Sequence, residues 1–161
     1  MKKTSFYLLA LLLAACSNQT QKDLDQILAL ERQTSSLNSD SLLHCYMRFA
    51  DANAKHDSAA VFLMKAAHIE IVNKHVVPGI KLYERVALEY PNTPIAAQAL
   101  INGGVAYASI PDPANAKRLY DQFIAQYPSH ARIEEVKKWS EYSGLSDEEL
   151  FRRFQNQLNA Q

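Results

Sequence analysis

Apolar residues recur every three or four positions through most of the chain, the spacing of one face of an α-helix. Ile80, Tyr83, Val86 or Ala87, and Tyr90 follow this step, as do Leu119, Tyr120, Phe123, Ile124 and Tyr127. Pro91 and Pro128 close these two helices, because proline lacks an amide donor and its ring clashes with the preceding turn. Two Ala-rich stretches, Ser58 to Asn73 and Pro94 to Ser109, predict the helices that come before them, and Pro94 suits a first turn. Leu24 to Gln33 and Ser41 to Asn53 predict an earlier helix pair, with a loop between Gln33 and Asp40. Beyond Pro128, Ile133, Val136 and Trp139 to Tyr142 predict one more helix. Ser146 and Glu149 then form a capping box, opening a last amphipathic helix through Leu150, Phe151, Phe154 and Leu158. Arg152, Arg153 and Gln155 give that helix the polar outer face of a terminal cap.

The pattern repeats at an offset of 37 residues. Leu82-Tyr83-Glu84 returns as Leu119-Tyr120-Asp121, and Tyr90-Pro91 as Tyr127-Pro128. The same offset links Tyr46 to Tyr83, and Phe49 to Val86 and Phe123. It also carries Ala59, Ala60 and Leu63 onto Ala96, Ala97 and Leu100. A helix pair repeated in tandem predicts an all-α solenoid, in which each unit buries its apolar face against its neighbours.

The first residues follow a different logic. Met1-Lys2-Lys3 is basic, and Phe6 to Ala15 is an uncharged apolar run. That run is about half the roughly twenty residues a spanning helix needs, so it reads as a secretory signal peptide. It ends in Leu13-Ala14-Ala15-Cys16, which resembles the bacterial lipobox, where the thiol receives diacylglycerol and the chain is cut just before it. The expected layout is a signal peptide over 1–15, a lipidated polar tether over 16–22, and a helical repeat domain over 23–161. Ser17 resembles the residue that, in enterobacteria, releases a lipoprotein to the outer membrane.

Composition narrows the function. The chain has 161 residues, 48% hydrophobic and 21% charged, and only 4 Gly and 6 Pro, which favours helix. Lys+Arg and Asp+Glu both number 17, and loss of Lys2 and Lys3 with residues 1–15 leaves a slight acidic excess. Such a charge steers the body neither to nucleic acid nor to an anionic surface. With Cys16 lipidated, Cys45 has no partner and reads as a small buried hydrophobe. No Gly-rich phosphate loop, paired-Cys motif, nucleophile elbow or His-x-x-x-His pair occurs, so no catalytic residue, metal or cofactor is expected. The acidic cluster Asp147-Glu148-Glu149 suits the positive end of a helix dipole, and Trp139 reads as core filling.

The repeats resemble the tetratricopeptide family. Leu100, Gly104, Tyr107, Ala116, Tyr120 and Pro128 fall on its characteristic positions, and Leu63, Ala67, Gly79, Tyr83 and Pro91 do so one unit earlier. Small residues at Ala67/Gly79 and Gly104/Ala116 allow close helix approach. Departures are a period longer by three, Glu70 at the position of Tyr107, and Val86 and Phe123 in place of a small residue. With the lipobox and the Tyr-Pro ends, the chain is similar to the BamD-like outer-membrane assembly lipoproteins and related periplasmic repeat proteins. The resemblance implies a short right-handed solenoid with a C-terminal capping helix. It also implies a concave, partner-binding groove at Val61, Met64, His68, Ile71 and Val72 in one unit and Gln98, Ile101, Val105 and Ala108 in the next. The function it implies is a non-enzymatic scaffold in the cell envelope, at the outer membrane, holding a protein or peptide. A self-assembling structural lipoprotein, pairing through the groove or the face at 150–158, is the alternative.

Overall fold

The computed structural model describes residues 2–33 and 40–159. The expected loop after Gln33 falls on residues 34–39, outside them. Among the described residues the chain is all-α, with no strand. Its helices are α1 (Lys2–Gln33), α2 (Asp40–Ala52), α3 (Asp57–Val72), α4 (Val76–Glu89), α5 (Pro94–Ala108), α6 (Pro113–Gln126), α7 (Ile133–Ser143) and α8 (Asp147–Asn159). They fall into two compact units, divided between His75 and Val76. In the first, α1 packs on α2 and α2 on α3; in the second, α4, α5, α6 and α7 pack each on the next. This succession is that of a helical repeat.

The 37-residue offset is a structural period. Asp57 and Pro94 open α3 and α5, and Val76 and Pro113 open α4 and α6, each pair one offset apart. Burial repeats with it. Ala59, Ala60, Phe62, Leu63, Met64, Ala66, Ala67 and Ile69 are the buried residues of α3. Shifted by one period they become Ala96, Ala97, Ala99, Leu100, Ile101, Gly103, Gly104 and Ala106, the buried residues of α5. In the second helices Gly79, Leu82, Tyr83 and Val86 are buried, and so are Ala116, Leu119, Tyr120 and Phe123.

Side chains that accept from orphan amides start several helices. Thr93 Oγ1 accepts from the Ala96 amide at 3.2 Å, and Asp112 Oδ1 from the Asn115 amide at 3.2 Å. The α3 terminus is closed by a pair of backbone hydrogen bonds, with the His75 ring beside Glu70 Oε2 at 2.8 Å. The Lys74 amide donates to Ile71 O at 3.0 Å and the His75 amide to Glu70 O at 2.8 Å. That crossed pair requires a left-handed residue at Lys74, where φ is 67°, a conformation usually given to glycine.

In the first unit the core is aromatic. Tyr46 stacks on Phe62 with centroids 5.2 Å apart, and Phe49 meets Phe62 edge-on at 5.0 Å. Cys45 is buried among them and free. A polar clamp holds α1 in place. Lys65 Nζ and the Tyr46 hydroxyl both donate to Glu31 Oε1 at 2.7 Å. Burial pushes the Glu31 carboxyl up, but the two donated bonds and the Lys65 charge outweigh it and hold it below its ordinary value. The stretch expected as a polar tether is helical: α1 runs through 17–22, and the Thr20 hydroxyl donates to Asn53 Oδ1 at 2.7 Å.

In the second unit Leu100, Leu119, Tyr120, Phe123 and Val136 form the centre of the core, with Trp139 packed against it. The close approach expected at Gly104 is present. A Cβ built there stands 2.7 Å from Tyr120 Cδ1 and 2.8 Å from Cζ, closer than van der Waals contact allows. The capping box is also formed, with Ser146 Oγ bonded to Glu149 Oε2 at 2.7 Å and accepting from the Glu149 amide at 3.3 Å. The helix it opens is no cap, however. Phe151, Phe154 and Leu158 are 61, 59 and 58% exposed, because α8 does not lie back along the core that α6 and α7 enclose.

Candidate functional sites on the helix faces

The expected groove residues divide into surface and core. On α3, Val61, His68 and Val72 are exposed and Ile71 is half-buried, but Met64 is buried at 6%. On α5, Val105 and Ala108 are exposed and Gln98 is half-buried, whereas Ile101 is buried at 1%. Met64 and Ile101 are one period apart and are core residues in both units, which corrects their assignment to a binding surface. Their helices bury half of their residues, so the exposed strip is narrower than the groove the repeat resemblance implies. What remains is a strip on each helix: Val61, His68, Ile71 and Val72 on α3; Gln98, Val105 and Ala108 on α5.

Each strip mixes apolar and polar groups. Partial burial holds the His68 imidazole below its usual pKa, which favours its neutral form as a polar group between two valines. On α5 the Gln98 amide donates to Asn102 Oδ1 at 2.7 Å, setting a hydrogen-bonded pair next to Val105. Apolar contacts flanked by amides suit a peptide, whose side chains need one and whose backbone needs the other.

The second unit also carries a groove of about 440 Å³ between α4 and α6, floored by Ala87, Leu100 and Leu119 and rimmed by Leu88, Arg118, Gln122 and Gln126. Leu88 is 80% exposed. Sequence reasoning missed this groove. Leu88 falls off the helical step of Ile80, Tyr83 and Ala87, and that out-of-phase position was the signal. At one end Arg118 pairs with Glu84, to which the Tyr107 hydroxyl also points. The Glu84 carboxylate raises the Arg118 pKa, and burial followed by the Glu84 charge pushes the Tyr107 hydroxyl up. This cluster is internally neutralised and leaves an apolar floor with an amide rim.

A second hollow, about 490 Å³, lies where α7 gives way to α8 and is lined by Tyr142, Leu150, Phe151, Arg153 and Phe154. Among the described residues no group of three His, Cys, Asp or Glu side chains is placed to hold a metal. No described helix is long and apolar enough to cross a membrane. The Cys16 side chain lies outside the described residues. No protein family model matches the chain, and the curated proteins give no match.

Proposed function

We propose that this is a lipid-anchored protein of the bacterial cell envelope, lipidated at Cys16, that holds a protein or peptide partner on the outward strips of its repeat helices. The observation that carries the reading is the join of two signals in one chain. A basic start and short apolar run end in Leu13-Ala14-Ala15-Cys16, and the body behind them is a helical repeat whose outward positions keep apolar side chains in water. Val61, Val72 and Val105 are 41, 42 and 49% exposed. Export and acylation explain the first signal, and a partner explains the second. The resemblance to tetratricopeptide and BamD-like lipoproteins extends the proposal to the outer membrane and to its assembly or maintenance. The role we propose is non-enzymatic, a contact surface for that partner.

Two measurements test it. In producing cells supplied with labelled palmitate, the chain should take up label and fractionate with membranes, and Cys16→Ser should abolish both. A Cys16→Ser chain that stays labelled, cleaved and membrane-bound refutes the anchor. A photo-reactive residue in place of Val61 or Val105 should then capture a discrete envelope protein. Capture of nothing at either position refutes the binding strips.

A further inference from the structure

A helix with one apolar face must bury that face or leave water against it. Leu150, Phe151, Phe154 and Leu158 share one face of α8, and the three beyond Leu150 are each more than half exposed. That face opens onto the hollow beside Tyr142, itself 39% exposed. We propose that this surface is a self-association interface, in which α8 of one copy lays its Phe151, Phe154 and Leu158 ridge into the α7–α8 hollow of a second copy and receives the second copy's ridge in return.

Three observations select a second copy as the occupant. The first is symmetry: Phe151 and Phe154 both crown the ridge and line the hollow, so the apolar side chains are one patch that a two-fold axis buries against itself. The second is area. At these exposures two phenylalanines, two leucines and a tyrosine offer roughly 500 Å² per copy, and a pair buries about 1,000 Å², the lower bound for a specific interface.

The third is charge. Arg153 pairs with Glu141 at 2.6 Å and Arg152 with Glu148 at 3.4 Å, while Glu149 is spent on the capping box. Among the described residues, the two arginines and Glu149 beside the face are thus matched within each copy and do not oppose pairing. The same matching argues against a bilayer as the occupant: a helix that lies on anionic lipid carries free basic residues along its rim, and both arginines of α8 already hold carboxylates.

The test uses the full chain in cells that produce it, as two differently tagged copies, with a photo-reactive residue in place of Leu158. Illumination should give a covalent pair bearing both tags, and Phe154→Ser should cut its yield at least tenfold with chain abundance and melting unchanged. The same probe in place of Leu88, on α4, should give no pair. Capture of lipid or of a different protein at position 158 overturns the proposal. So do the absence of a pair, a yield indifferent to Phe154→Ser, and equal pairing from position 88.

Discussion

Replacing Gly104 by alanine sets two known effects against each other. Alanine in a helix interior gains about 1 kcal/mol over glycine. Against this, the new Cβ would overlap the Tyr120 ring, with Cδ1 and Cζ at 2.7 and 2.8 Å. The ring cannot swing aside, since Tyr120 is 2% exposed and packs against Trp139 with centroids 5.7 Å apart. Overpacking of this kind costs about 3 kcal/mol at the upper end of its usual range. The net expected loss for Gly104→Ala is therefore about 2 kcal/mol, or roughly 4–8 °C in Tm for a chain of this size.

Gly103→Ala is the internal control. Its Cβ would meet Leu119 Cδ1 at 2.8 Å, the far end of a flexible side chain, and Tyr83 Cβ at 3.4 Å. The helical gain and a small repacking cost of about 1 kcal/mol should cancel there. Urea melts followed by circular dichroism give both values. In a Tyr120→Ala background the clash is gone, and Gly104→Ala should become stabilising by about 1 kcal/mol. The reasoning is refuted if Gly104→Ala alone matches or exceeds the parent, or if its cost is the same with and without the ring.

Two further outcomes follow from features of the first unit. Lys74 holds a left-handed φ of 67°, which costs a side-chain-bearing residue roughly 1–2 kcal/mol, so Lys74→Gly should raise stability by about 1 kcal/mol in the same melts; a loss would mean that the Lys74 side chain outweighs its backbone strain. Glu31, held below its ordinary 4.5 by Lys65 and Tyr46 against the opposing effect of burial, stabilises the fold above the unfolded carboxyl pKa and loses that contribution as pH falls through the depressed value. Glu31→Gln should therefore cost about 1 kcal/mol at neutral pH, discounted for the part-exposed Lys65, and the gap should close in acid; a gap constant with pH would refute the assignment.

The repeat, its period and its breakpoints were legible in the sequence because each has a local cause. Proline closes a helix just past its last turn, as at Pro91 and Pro128, and opens one in its first, as at Pro94 and Pro113, and a 37-residue echo of Leu-Tyr pairs survives without knowing what they touch. The narrowness of the outward strips was not legible. Met64 and Ile101 sit one helical turn from exposed neighbours, and only the angle at which α3 and α5 meet their neighbours decides which side of that turn is covered. The fate of α8 was hidden for a related reason. Its apolar face reads alike whether it packs on its own chain or waits for another, since amphipathic periodicity states that a face wants burial and is silent on by what. Residues 17–22 read as a tether from their polar composition, yet polar residues on a helix with one side docked look the same as polar residues in a free strand of chain.

The hydrogen bond between Thr20 and Asn53 sets how long a leash a lipid at Cys16 would give. Thr20 lies four helical steps beyond Cys16, a rise of about 6 Å. On the lipidated reading there is no slack to pay out beyond that. The first unit then rides against the headgroups and cannot sweep the space towards the cell wall. Whatever it meets has to arrive at the bilayer surface, and lengthening the chain between positions 17 and 19 becomes a way to ask how far from that surface the protein can still work.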